Sequence, residues 1–290
     1  MKAYVEISKL QKSIDDFQLG PIDLIIEPET ITALVGNNGS GKSTLLKLMV
    51  NLASSDSGNI KLFNTTVGRE DESWKKNVAY LPQNIIGMDA YTGNTLKALI
   101  EILYPNWDNA LFMELIKLFD VPLDKRFGKL SQGVQQKLNL ALTVARNTPL
   151  LLLDEPTAFM DIPSKRFFMD ILVDWMDKGD RSIILTSHQV EDIKKLSDYL
   201  FVLRNGDMIG NFEKENLTEN YKRYWLNDQL PNTTIPGEVS RAHLQIVSNN
   251  PEVTEIFLQK NKIRWIDRKS LELEEIITLL LTANTSSHYR

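Results

Sequence analysis

The chain contains no cysteine, which excludes disulfides, thiolate metal sites and cysteine nucleophiles and fits a reducing compartment. It also lacks any apolar stretch near the roughly 18–20 residues a membrane-spanning helix requires. Runs such as 276–281 are far too short. The opening residues, MKAYVEISKL, alternate apolar and polar side chains and carry no apolar export-signal core. The chain is therefore expected to be soluble, with any membrane role supplied through a partner. Positive charge is not in excess either: the net charge is -5, so the basic footprint of a nucleic-acid partner is missing. Internal repeats and low-complexity tracts are absent.

What is present is an ordinary globular composition, 42% hydrophobic and 24% charged, over 290 residues. That length holds one large domain or two modest ones with ample core. The most informative stretch is Gly36-Asn37-Asn38-Gly39-Ser40-Gly41-Lys42-Ser43-Thr44, which follows the apolar run 31–35 and precedes Leu45-Leu46-Lys47-Leu48-Met49. The spacing G-x-x-x-x-G-K-S between a buried strand and a helix is that of a phosphate-binding loop. Its glycines let the backbone curl around phosphate oxygens, and the new helix aims its amides and dipole at the anion. Lys42 would neutralise the β- and γ-phosphates, and the Ser43 hydroxyl would hold Mg²⁺. The chain thus reads as a binder of a nucleoside triphosphate.

Strand-like segments come first, at 4–8, 22–26 and 31–35, with a hairpin-like piece at 56–63 and a short strand at 78–81 before Pro82-Gln83. From about 94 to 147 the periodicity turns helical. Leu96, Leu99, Ile100 and Leu103 share one face, and Leu111, Leu115, Leu118 and Phe119 another. A third helix follows Leu130-Ser131-Gln132-Gly133 and carries Val134, Leu138, Ala141, Leu142 and Ala145. Leu150-Leu151-Leu152-Leu153 is apolar on both faces, as a central parallel strand would be, and 183–185 repeats that signature before Thr186-Ser187-His188. Asn205-Gly206 between 199–204 and 207–212 suits a type I′ hairpin. Strands alternating with helices imply an α/β core. From about Glu213 the character changes: a loop at 231–237, strand-like runs at 243–247 and 263–266, and a helix from Ser270 to about Thr282 suggest a small accessory domain.

Asp154 and Glu155 follow the four leucines, at the strand edge where open α/β sheets bind ligands. Asp154 would hold Mg²⁺, directly or through water, and Glu155 would polarise the water that attacks the γ-phosphate. Alone, this acid pair before Pro156 would also suit a helix cap.

The ordered set GNNGSGKST, Gln83, LSQGVQQK (130–137), LLLLDEP (150–156), Asp161 and His188 resembles the ATP-binding subunit of an ABC transporter over residues 1 to about 212. The resemblance implies an α/β P-loop NTPase core of the ABC ATPase kind with an antiparallel β subdomain and a helical subdomain inserted at about 85–147. Residues 1–212 would form the ATPase domain and 213–290 a small α+β C-terminal domain. It implies ATP and Mg²⁺ as ligands, with Gln83 touching Mg²⁺ and the attacking water. Ser131 and Gly133 would cap the γ-phosphate bound by the opposite protomer, Asp161 would lie in a loop crossing the dimer interface, and His188 would contact the γ-phosphate. Taken alone, Gln83 reads equally as a solvated loop residue and His188 as the end of a strand; their places in the set give them these roles.

Three departures stand out. Gln132 and Val134 replace a glycine and the glutamine of the usual LSGGQ. The position of the aromatic that stacks on adenine falls on Ile14, with Phe17 nearby read as a core aromatic. The segment Thr157-Ala158-Phe159-Met160-Asp161 is bulkier than usual. The implied partners are an integral membrane transporter subunit and a second ATP-binding subunit, identical or paralogous, at the cytoplasmic face of the cell membrane. The surface near Ile85, Ile86, Met88 and Tyr91 is the expected docking groove. Tyr104-Pro105-Asn106-Trp107-Asp108 and the tail are similar to ABC-2-type exporters of Gram-positive bacteria, whose cargoes include peptides, toxins, antibiotics and the phenol-soluble modulins. An importer ATPase and a non-transport ATPase acting as a mechanical switch are the alternatives.

Overall fold

The computed structural model describes residues 3–227, 230–231 and 233–282. Asn232 of the expected 231–237 loop lies outside these, as do residues 1–2, 228–229 and 283–290 of the two expected domains. The chain divides into two compact units, Met1–Ser197 with Leu203–Met208, and Asp198–Val202 with Ile209–Arg290.

The first unit opens with a hairpin of two long strands, β1 (Val5–Ile14) and β2 (Phe17–Ile26), followed by β3 (Ile31–Val35), α1 (Lys42–Met49), β4 (Ser57–Leu62) and β5 (Thr65–Thr66). Strands β2, β1, β4 and β5 form an antiparallel sheet in that order. The sequence suggested only half of the first hairpin. Irregular register between Ile7 and Leu10 and between Leu10 and Lys12 breaks the two-residue alternation that marks a strand.

Next come β6 (Val78–Leu81), α2 (Gly93–Glu101), α3 (Asn109–Leu118), α4 (Gln132–Val144), β7 (Leu150–Asp154), α5 (Ile162–Met176), β8 (Ser182–Thr186) and α6 (Val190–Leu196). Strands β3, β8, β7 and β6 are parallel neighbours in that order. Every residue of β3, β7 and β8 is buried, which is why they read as unbroken apolar runs rather than alternating ones. Register then sets the functional edge: Leu34 and Asp154 both lie opposite Thr186. The ends of three strands therefore present their following loops together.

Thr92 and Asp108 cap α2 and α3 with side-chain oxygens that accept from Thr95 N and Leu111 N. The apolar face expected along α2 is only partly buried. Leu96 is interior, whereas Leu99 is 48% and Leu103 68% exposed. The helix has ended at Glu101, three residues before Tyr104-Pro105, so Leu103 no longer follows the helical face. Helix α4 buries Leu138, Ala141 and Leu142 as its spacing requires.

The chain passes between the units through the hairpin β9 (Tyr199–Arg204) and β10 (Asp207–Glu213). Asn205 (φ 51°) and Gly206 (φ 88°) both take the left-handed conformation of a type I′ turn. The second unit continues with α7 (Lys214–Asn220), β11 (Lys222–Leu226), β12 (Glu238–Ala242), β13 (Gln245–Ser248), α8 (Pro251–Lys260), β14 (Trp265–Ser270) and α9 (Leu273–Thr282). Its sheet runs β12-β13-β11-β14 around Tyr224, Leu226, Ile235, Ile246 and Leu258. The sequence reading missed α7, β11, β12 and α8, and it began the last helix at Ser270, which instead ends β14. Among the described residues no helix is long and apolar enough to cross a membrane.

Candidate functional site

A cavity of about 710 Å³ opens at the aligned ends of the parallel strands, lined by residues 38–44, Gln83, Asp154, Glu155 and His188, with Ile14 and Phe17 at one side. The loop between β3 and α1 supplies its floor. Gly41 holds φ 103° and has Leu19 and Phe17 packed where a side chain would project, so only glycine lets the loop turn there. Lys42 begins α1, is 7% exposed, and donates from Nζ to the carbonyls of Gly36 (2.7 Å) and Asn37 (3.1 Å). Burial lowers its pKa, against the opposing pull of Glu155 and Asp154. The result is a partly desolvated cation beside the N-terminus of α1, an arrangement that favours a phosphate.

The acidic side is built from β7 and β8. Ser43 Oγ donates to Asp154 Oδ1 at 3.1 Å, and Thr186 Oγ1 donates to the same oxygen at 2.8 Å. Thr186 also accepts from the Glu155 amide at 2.8 Å, tying the two strand ends. Glu155 itself has φ 52°, a conformation uncommon for a residue with a side chain and often found at functional sites. Its carboxylate accepts from the His188 amide (3.3 Å) and lies 3.1 Å from His188 Nε2. Burial raises the Glu155 pKa, with His188 and Lys42 opposing. A carboxylate shifted upward in a cleft, oriented by an imidazole, is a proton acceptor better matched to neutral pH than a free one.

Ser43, Asp154 and Gln83 line one cavity, and their side chains carry a hydroxyl, a carboxylate and an amide oxygen. These are hard oxygen donors of the kind Mg²⁺ takes alongside water and phosphate, so the residues fit that ion.

The structure brings together most residues singled out in the sequence. Gly36 and Asn37 contribute backbone carbonyls to Lys42, and Gln83 is exposed on the cavity wall after β6. Ser131, Gly133 and Asp161 do not line it. Ser131 is exposed just before α4, and Asp161 caps α5 by accepting from Ser164 N (2.8 Å) and pairs with Lys137 (2.7 Å). Those contacts hold the Asp161 carboxyl well below the usual range, the Lys137 hydrogen bond most strongly. Phe17, expected in the core, is half-buried at the cavity and joins it to a second hollow of about 530 Å³ that Asp16, Asn205 and Asp207 help line. The hairpin irregularities hid its position. Thr186 was missed as a site residue, although a polar side chain closing an all-apolar buried strand is a usable signal. Asp192, 2% exposed, was missed as well; it accepts from Thr157 (2.7 Å) and Ser187 (3.2 Å) and so fastens the loops that follow Glu155 and precede His188.

Comparison with known proteins finds relatives of the chain. The sequence profile of the ABC transporter family matches residues 19–158. The ABC transporter ATP-binding protein YtrB of Bacillus subtilis is 29% identical over 281 residues, 94% of this chain and 96% of its own. The phosphonates import ATP-binding protein PhnC of Fusobacterium nucleatum is 31% identical over 227 residues, 72% of this chain and 92% of its own. A solved structure of the ATP-binding subunit of an ABC transporter superposes with a TM-score of 0.68 at 21% identity, covering 74% of this chain and 92% of that one, a likeness of fold.

Proposed function

The chain belongs to the ATP-binding proteins of ABC transporters, which hydrolyse ATP, and on that premise we propose that it powers export through a separate membrane subunit. The observation that carries the catalytic part is the convergence of Lys42, Ser43, Asp154, Glu155 and His188 on one cavity. Lys42 and the amides of residues 39–44 take the phosphates of ATP. Ser43, Asp154 and Gln83 hold Mg²⁺, which when bound neutralises charge on the transferred phosphoryl group. Glu155, kept in place by His188 and Thr186, accepts the proton of the attacking water. His188, with its side chain 47% exposed, remains free on its other side to meet the γ-phosphate. Phe17 takes the side of the cavity where the adenine would lie.

Ser131, Gly133 and Asp161 fall outside this cavity, which supports a shared site in which they serve the nucleotide of a second ATP-binding subunit. Closure on ATP and opening after hydrolysis would then be the power stroke. The helical subdomain would carry it to the membrane subunit at the cytoplasmic face. Ile86, 92% exposed, and a small hollow formed by Tyr80, Ile85, Met88 and Arg146 among others support docking there. Within the chain, we read 1–212 as the ATPase domain and 213–290 as an accessory domain.

Export is favoured by the tail. It holds a four-stranded sheet with helices rather than the strand-rich barrel usual in importers. A peptide, toxin or drug is the proposed cargo class, with amphipathic peptides such as phenol-soluble modulins one member. Import is the second reading, because PhnC, whose name specifies import, matches 72% of the chain. The test is to capture a tagged Glu155→Gln chain from detergent-solubilised native membranes with MgATP and identify what co-purifies. A polytopic membrane protein encoded beside an efflux or peptide-toxin function supports export. A membrane partner accompanied by an extracellular binding protein would point to import, and soluble partners alone would point to a mechanical switch.

A further inference from the structure

One face of α4 lies along the turn that carries Glu155. Gly133, Gln136 and Lys137 recur at the three- and four-residue spacing that shares a helix face. A Cβ on Gly133 would stand 2.8 Å from the carbonyl oxygen of Phe159, so a glycine permits that approach. The Gln136 amide, 6% exposed, donates to the carbonyls of Glu155 (3.3 Å) and Pro156 (3.1 Å). Lys137 Nζ donates to Asp161 Oδ2 at 2.7 Å. Three successive positions of one helix face thereby grip residues 155–161. The middle contact bears on catalysis, because it fixes the peptide groups that follow the left-handed φ of Glu155 and hence where its carboxylate points. Gln136 does not line the cavity.

We propose that Gln136 is a positioning residue that couples the N-terminal turn of α4 to Glu155, so that engagement of Ser131 and Gly133 with one nucleotide of a dimer sets the general base used on the other. The inference rests on the shared-site reading above, in which the two ends of this contact serve different nucleotides. A helix transmits displacement of its first turn as a stiff body, and a buried amide held by two carbonyls converts that displacement into a rotation of the catalytic turn. Each chain would then relay the occupancy of one site to the other through its own α4. Coupling of this kind is established by non-additivity, not by proximity.

The experiment measures ATP hydrolysis by the full chain and its Ser131→Ala, Gln136→Met and doubly substituted forms. Methionine keeps the volume and helix preference of Gln136 and removes the donor. Gln136→Met should lower kcat by about tenfold or more, as a small misplacement of a reacting group does. Its KM and its binding of a fluorescent ATP analogue should stay within about twofold of wild type. The double variant should fall no further than the deeper single one. Lys137→Met probes the same face from its half-buried end without stranding a buried carbonyl; it should show the same pattern more weakly and replaces Gln136→Met should that chain fail to fold by circular dichroism. Losses that multiply in the double variant, or a KM rise that accounts for the whole effect, overturn the coupling. If Ser131→Ala alone leaves hydrolysis unchanged, the shared-site reading falls and takes the coupling with it, an outcome distinct from multiplying losses.

Discussion

The two regions of this chain proposed to serve a nucleotide are built differently. Around Lys42, Asp154 and Glu155 the polar groups are buried and already bonded to one another, through Ser43, Thr186, His188 and the loop carbonyls. Around Ser131 the chain is exposed, and Asp161 is held from its own side by Ser164 and Lys137. The first half is preorganised, as the proposed phosphate site of a single chain should be. The second is a surface, complete in itself as structure, which on the proposed shared-site reading a second subunit turns into a site. Nucleotide binding should therefore be a property of one chain and turnover a property of two, and each substitution below tests one side of that division.

The largest effect is expected at Glu155. Glu155→Gln should bind MgATP with near wild-type affinity while kcat falls by about a hundredfold or more, the usual contribution of a positioned general base. Normal hydrolysis by this variant would refute the assigned role. Next is Lys42→Ala. It removes a buried cation from the phosphate loop and should weaken ATP binding by about tenfold or more, since hydrogen bonds to charged groups are worth roughly 1.5–3 kcal/mol. Equilibrium titration of the single chain with a fluorescent nucleotide checks it. Ser131→Ala in the same titration should leave the affinity of the isolated chain unchanged, and an equal loss there would erase the distinction between the halves.

Thr186→Val should act on the preorganised half from behind. The substitution keeps the shape and strand preference of the residue but leaves the Glu155 amide without its acceptor and Asp154 Oδ1 without one donor. An unsatisfied buried group costs about 1–3 kcal/mol, so chemical denaturation should report a loss in that range, with a fall in kcat larger than any change in KM. An unchanged denaturation midpoint would mean that the strand ends do not depend on this bridge.

How much of this was legible in the sequence follows from the same division. The phosphate loop and the acid pair were readable because their strands are buried on both faces, and so leave unbroken apolar runs that end in polar residues. The long first hairpin was not, because its register shifts scramble the alternation and placed Phe17 out of sight of the cavity. Gln136 and Asp192 were invisible for another reason: their partners lie 19 and 35 residues away, at distances that only the packed fold defines. In the second unit, the strand-like run at 263–266 reached only the first two residues of β14, because the rest of it, Asp-Arg-Lys-Ser, is exposed and has no apolar face to betray it. Helix α8 did carry a signal, Asn250 as cap with Pro251 in the first turn.

The smallest effect is expected at Asp161, and it tests whether charge anchors the exposed half. Asn is as good a helix cap as Asp, so Asp161→Asn keeps the bond from the Ser164 amide while it removes the ion pair with Lys137 and the acceptor oxygen of the Ser164 hydroxyl. The carboxyl of Asp161 is held below its ordinary value of 3.8 by that pair and by Ser164. A depressed folded-state pKa adds stability at pH values above the unfolded one and loses it as the pH falls through the folded one. The melting temperature of wild type should therefore exceed that of the variant by a constant small margin at neutral and mildly acidic pH, and the margin should close as the pH drops below 3.8. It should also shrink with added salt, because the pair is open to solvent. A margin independent of both pH and salt would place the cost in the cap rather than the charge, and the surface around Ser131 and Gly133 would then be held to the turn that carries Glu155 by Gln136 and the Gly133 contact without electrostatic help.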